Sequence, residues 1–196
     1  MLPSVVAIEL RIQNRKAVNM KKLIDEYLPL FHFSETHETE VKAQANVVYS
    51  SVLTCDLGRS AIVRFLFRLR RLPECEMTID GLQQVGFCLL ARCEDREIVF
   101  GLIGKFWTFS GGILSFQPEE FVSFNGKGYA KVAGNLMAVP ITSHRTRLIT
   151  ETRVQCTSSW SRVRFALYWL LIRPFSGLIR REWLRLIKQH AENLTT

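Results

Sequence analysis

The chain lacks paired cysteines. Its five, Cys55, Cys75, Cys88, Cys93 and Cys156, are an odd number with no CxxC among them, which argues against a disulfide framework and against a zinc ribbon or finger. Such usage implies reduced thiols in a cytoplasm. Histidine is also sparse: His32, His37, His144 and His190 are scattered, without HExxH or a comparable ligand spacing, so no metal is expected. Long apolar runs are missing too. The longest, Phe165 to Ile172, has eight residues, against the roughly 20 that cross a bilayer. The opening MLPSVVAIELRIQNRKAVNMKK does not have the order of a signal peptide, because its apolar part precedes the basic part and is broken by Glu9 and Arg11. There is no nucleophile elbow, P-loop or dinucleotide fingerprint; GLIGKFW lacks the phosphate-loop spacing, and GGILSF reads only as a turn. No cofactor is called for, and no motif marks a catalytic residue.

What is present is an ordinary globular composition. The 196 residues are 47% hydrophobic and 22% charged, enough for one domain with a proper core. The net charge of +8 is carried mostly by arginine. Arg59, Arg64, Arg68, Arg70 and Arg71 fall in a stretch with no acid, and Arg162, Arg164, Arg173, Arg180, Arg181, Arg185 and Lys188 follow near the end. A solvated basic surface, a phosphate contact or an anionic membrane surface would each use such charge. Nucleic-acid binding is not expected, since no recognition motif or interleaved aromatic and basic strand accompanies it.

Residues 1–19 read as an extension without a pattern of its own, free to be disordered, and residues 20–196 as a single domain. MKKLIDEYLP is a short amphipathic run closed by Pro29, and Met20 could serve as the functional start. LFHFSETHETEV alternates with period two and predicts a strand. NVVYSSVLTCDL and GRSAIVRFLFRLRRLP have helical spacing, the second ending at Pro73. The middle reads as strands throughout. GFCLLARC and IVFGLIGKFWTF form a hairpin about a charged turn, GILSF and FVSF are short strands, and GYAKVAGNLMAVPI with RTRLITETRV forms a second hairpin turning at Ser143-His144-Arg145. Ser158 or Ser159 would cap the terminal helix. The order of elements is an α+β plan.

In that helix Trp160, Val163, Leu167, Leu170 and Leu171 form one apolar stripe, and Phe165, Tyr168, Trp169 and Ile172 a second on the opposite side. Such a helix is expected to be covered on both sides. Pro174 should kink or interrupt it, leaving a core helix followed by a surface helix. On the strands the more apolar parity, taken as the inner face, is Phe87, Leu89, Ala91; Phe100, Leu102, Gly104, Phe106; Val132, Gly134, Leu136, Ala138; and Leu148, Thr150, Thr152, Val154. Small residues in the middle of this set fit either close packing or an unfilled cavity. Glu35 and His37 share parity with Phe33 and Val41. If that face is inner they form an acid–base pair in apolar surroundings; if they lie at the rim they pair with local charges. Glu151 and Arg153, on the outer parity, read as a solvated ion pair worth little.

FSETHETEVKAQANVVYSSV, then GYAKVAGNLMAVPI with RTRLITETRV, then YWLLIRPFSGLIRREWLRLIK, together resemble an uncharacterised bacterial family of the SRPBCC superfamily, the START-like or birch-pollen-allergen-like helix-grip proteins. The similarity runs from about Met20 to His190. It implies a curved antiparallel sheet wrapped around the C-terminal helix, with two short helices after the first strand. It also implies a space between sheet and helix of the kind that, in the superfamily, often holds a lipid, sterol, polyketide or similar molecule. Because the first and last strands adjoin in that fold, Thr150 and Thr152 are expected beside Glu35 and His37. Leu102, Phe106 and Leu136 would line the space from the sheet, and Trp160 and Leu167 from the helix. Some members are cyclases, aromatases or hydroxylase partners, and others only bind. Three readings follow: binding or carriage of a hydrophobic small molecule, a cyclase- or hydrolase-like enzyme using the same cavity, or a membrane-surface or interaction module using the basic terminal helix. The oligomeric state stays open.

Overall fold

The computed structural model describes residues 21–60, 64, 79–84, 86–108 and 110–195. The chain enters through a single helical turn, α1 (Ile24–Tyr27), and β1 (Phe33–Val41). The odd-numbered side chains of β1 are its less exposed ones, as burial of one face of a pleated strand requires. Next come α2 (Ala45–Thr54), a 3₁₀ turn at Leu57–Arg59, and α3 (Ile79–Gln84). The hairpin β2 (Cys88–Cys93) and β3 (Glu97–Gly104) turns through Asp95, which has a positive φ. After α4 (Pro118–Ser123), the long hairpin β4 (Ala130–Thr142) and β5 (Arg145–Cys156) leads into α5 (Ser159–Asn193). Ser158 caps α5: its Oγ accepts from Ser161 N, and its own backbone N donates to Ser161 Oγ.

The strands form one five-stranded antiparallel sheet in the order β1-β5-β4-β3-β2. The first and last strands are therefore neighbours, and α5 lies across one face. This is the α+β helix-grip arrangement. Under the helix, Leu136, Ala138 and Leu148 of the sheet pack with Trp183, Leu184 and Ile187 of α5 and with Val48, Tyr49 and Val52 of α2. The other face carries Leu90, Val99, Ile103 and Ala133, covered by Ile24 and Leu28 around α1 and by Phe121 of α4.

Several expectations are corrected here. FVSF is not a strand: Pro118 starts a short helix and the Gln117 amide donates to Glu120 Oε2 at 2.7 Å, closing its first turn. GILSF contributes only a single bridge, Leu114 to Ile103. Ala91 does not share the face of Phe87 and Leu89, because a bulge between Leu89 and Ala91 pairs Ala91 with Val99, on the face away from α5. The helix is not interrupted at Pro174 but runs through it. Pro174 is exposed, so the carbonyl it frees one turn back, on exposed Leu170, faces solvent.

The division of α5 into core and surface halves is also overturned. In its first half only one stripe is covered, while Trp160, Leu167, Leu170 and Leu171 are 65–75% exposed. The second half is the better buried, since α2 packs on it. Glu151 and Arg153 are not solvated: they are 5% and 6% exposed, because α1 lies across their face of the sheet. Arg153 pairs with Glu151 at 2.7 Å and Asp25 at 2.7 Å, and Lys22 reaches Glu151 at 2.6 Å. The extension 1–19, Met20, Cys75, and most of the second expected helix with its arginine cluster lie outside the described residues.

Candidate functional site

Sheet register sets out the site as rows beneath α5. One row runs Phe33, Val154, Val132, Leu102 across β1, β5, β4 and β3; the next runs Glu35, Thr152, Gly134, Phe100; the third runs His37, Thr150, Leu136, Ile98. The third row is filled, with Leu136 and Ile98 fully buried in the core. Over the first two rows the helix and sheet part, leaving a cavity of about 240 Å³. Among the described residues its sheet wall is Phe87, Phe100, Leu102, Phe106, Val132, Gly134, Thr152 and Val154. Its helix wall includes Phe165, Tyr168, Trp169, Ile172, Ile179 and Trp183, and Leu57, Leu82 and Ile113 close the sides. Polar groups enter it only through a few side chains, chiefly Thr152, Ser176 and Arg180.

Local sequence explains this shape. Gly134 is where Phe100 crosses the sheet: a Cβ there would lie 2.5 Å from Phe100 Cε2, so only glycine lets the ring lie flat over β4. Phe100 packs edge-on against Phe87 at 5.6 Å and tilts against Trp183 at 5.9 Å. At the other end Phe165 stacks on Trp169 at 5.7 Å and meets Phe33 at 5.1 Å and Phe106 at 6.4 Å. Rigid aromatic walls at both ends hold the space open between them.

The polar cluster lies where the cavity meets the filled core. His37 Nε2 donates to Glu35 Oε1 at 2.9 Å, the two side chains being 13% and 11% exposed. Helix α5 passes directly over them at Gly177, where a Cβ would fall 2.8 Å from Glu35 Oε1 and 3.5 Å from His37 Nε2. One turn on, Arg180 Nη1 donates to Thr150 Oγ1 at 3.0 Å, and that hydroxyl donates to the Asn135 carbonyl at 2.8 Å. Burial pushes the Arg180 guanidinium down to about 10, against the opposing pull of the Glu35 carboxylate. Its Nε, Thr152 Oγ1, Trp183 Nε1 and Glu35 Oε2 are buried without a hydrogen-bond partner among the described residues.

Of the residues expected at the site, Leu102, Phe106 and Thr152 line the cavity. Thr150 and Thr152 pair in register with His37 and Glu35. Glu35, His37 and Thr150 form the polar border beside the cavity instead of its wall, and Leu136 is one row away in the packed core. Trp160 and Leu167 face outward, 73% and 65% exposed; their stripe is half a helical turn from Phe165 and Tyr168, which take the inner side. No motif in the sequence singles out Arg180 or Gly177. Arg180 read as one more basic residue, and only the spacing Gly177, Arg180, Trp183, all on one face of a helix, could have marked it. Among the described residues no group of His, Cys, Asp or Glu is arranged to hold a metal ion, and no helix is long and apolar enough to cross a membrane.

These features define the class of protein: a helix-grip chain with an apolar cavity bordered by half-buried Glu35, His37 and Arg180 and by buried Thr150. No known family's sequence profile matches the chain, and no curated protein matches it by sequence. Among solved structures it is similar to norcoclaurine synthase from Thalictrum flavum, at 11% identity and a TM-score of 0.42, covering 84% of this chain and 96% of that one. It is also similar to a hypothetical protein from Helicobacter pylori, at 8% identity and a TM-score of 0.41, covering 88% and 96%. An aromatase/cyclase from Streptomyces is a third, at 13% identity and a TM-score of 0.34, covering 84% and 96%.

Proposed function

We propose that the chain binds and carries a hydrophobic small molecule in the cavity between its sheet and α5. The observation that supports this is the 240 Å³ space lined chiefly by aromatic and aliphatic side chains, at a place where packing would otherwise fill it. An apolar cavity of about 150 Å³ accommodates benzene, so this one suits a guest of about ten non-hydrogen atoms. An enzyme using the same cavity would draw on Glu35 and His37, which border it and bond to each other, so carriage is the simpler reading. Native mass spectrometry of the protein purified from cells tests it: a bound organic molecule at one per chain, released unaltered by organic solvent, is the expected result. A chain with no such mass that also takes up no apolar probe would refute the reading.

A second reading rests on the outer side of α5 and is compatible with the first. Trp160, Val163, Leu167, Leu170 and Leu171 are all more than half exposed. The exposed Arg162, Arg164, Arg173 and Arg181 lie on the same helix, and no Asp or Glu occurs between residues 152 and 181. An apolar stripe bordered by arginine without acid fits an anionic lipid surface. The chain should sediment with phosphatidylserine vesicles, less so in high salt, and Leu167→Glu with Leu171→Glu should abolish the effect. Equal sedimentation with uncharged phosphatidylcholine vesicles would rule this reading out.

A further inference from the structure

We infer that the guest carries an oxygen hydrogen-bond acceptor, a carbonyl or carboxylate, and that this end is held by Arg180, Thr152 and Trp183; the inference rests on the cavity's binding role proposed above. All three residues line the cavity. Thr152 and Trp183 are 4% and 5% exposed, and Thr152 Oγ1, Trp183 Nε1 and Arg180 Nε are each buried with no partner among the described residues. Buried polar atoms are nearly always satisfied, so three unsatisfied ones on a single cavity mark a place where something else supplies the bond.

The chemistry of the three atoms sets the kind of group. An indole N–H and a guanidinium N–H can only donate, and a hydroxyl can donate as well. A guest hydroxyl must place its own proton as well as accept, whereas a carbonyl or carboxylate oxygen needs donors only, and donors are all that the indole and the guanidinium offer. Their placement is coherent. Thr152 sits mid-row between Glu35 and Phe100. Above that row, Gly177 of α5 lies against Glu35 and Trp183 against Phe100, while Arg180, between them in sequence, is tied to Thr150 on the adjoining row. The donors thus face the cavity from both sheet and helix, and the apolar body of the guest extends over Val154, Val132 and Leu102. Glu35 faces Arg180 electrostatically without an ion-pair contact, so the guanidinium keeps bonding capacity for a neutral carbonyl as well as for a carboxylate.

Calorimetric titration with indane, 1-indanone and indane-1-carboxylate separates the terms. These probes share one apolar body and differ in the acceptor. The ketone, the carboxylate or both should bind at least tenfold more tightly than indane. That preference should fall below threefold in Arg180→Met or in Trp183→Phe, the second of which keeps an aromatic ring and so protects against a folding artefact. Equal affinity for all three probes would overturn this inference while leaving the apolar cavity intact, as would a preference that survives both substitutions. Failure of every probe to bind would overturn the cavity reading itself and this one with it.

Discussion

Gly177→Ala offers a test in which the sign of the effect changes with its surroundings. In a helix interior, alanine is favoured over glycine by about 1 kcal/mol, and Gly177 sits in the middle of α5 with no unusual backbone angle. Taken alone, the substitution should stabilise. But its methyl group would lie 2.8 Å from Glu35 Oε1, and that oxygen is fixed by His37 at 2.9 Å. To admit the methyl, Glu35 must leave His37, and a buried charge-assisted hydrogen bond contributes about 2 kcal/mol. The net expectation is destabilisation by about 1 kcal/mol. In a Glu35→Ala background the obstruction is gone and the nearest atom is His37 Nε2 at 3.5 Å, an ordinary contact, so the same change should stabilise by about 1 kcal/mol. Urea unfolding of the four proteins gives the cycle, with an expected coupling of about 2 kcal/mol. If Gly177→Ala stabilises the unaltered chain as much as the Glu35→Ala chain, the close passage of α5 over this pair is refuted.

On the other face of the sheet, Glu151→Gln should cost about 3 kcal/mol, because it leaves Arg153 buried with only Asp25 as an ionic partner; denaturant unfolding measures it. Burial alone would raise the Glu151 carboxyl, but the hydrogen bonds and charges of Arg153 and Lys22 hold it below its ordinary value of 4.5. A carboxyl depressed in the folded state stabilises above its unfolded pKa, and that contribution is lost as pH falls through the lowered value. Acid titration of unfolding should accordingly show a loss beginning below about pH 4.5 that is smaller in Glu151→Gln. Cys156 is 6% exposed and burial pushes its thiol up to about 11, so iodoacetamide at pH 8 should leave it unmodified in the folded chain and alkylate it in urea, as peptide mass mapping would reveal.

The sequence carried the fold through pattern. Period-two alternation located β1, two hairpin patterns located β2 to β5, and the Ser158-Ser159 pair marked the start of α5, with Ser158 taking the cap. The parity choice placed Phe100, Leu102, Val132, Gly134, Thr152 and Val154 together, and all of them line the cavity. What period alone does not convey is which of two apolar stripes on α5 faces inward. Trp160 and Leu167 are as hydrophobic as Phe165 and Tyr168, and the difference is decided by packing against Phe33 and Phe106 from distant parts of the chain. The burial of Glu151 and Arg153 escaped for a similar reason: nothing local states that α1 will lie over them. Arg180 was hidden among solvated arginines, since its role depends on Thr150 across 30 residues of sequence.

The account depends above all on there being open apolar space between sheet and helix, and xenon reports that space without assuming any ligand. In a crystal of the protein held under xenon pressure, anomalous scattering should place an atom between Phe100, Val132, Phe165 and Trp169, within the 240 Å³ cavity. Side chains filling that volume, with no xenon there, would contradict the account.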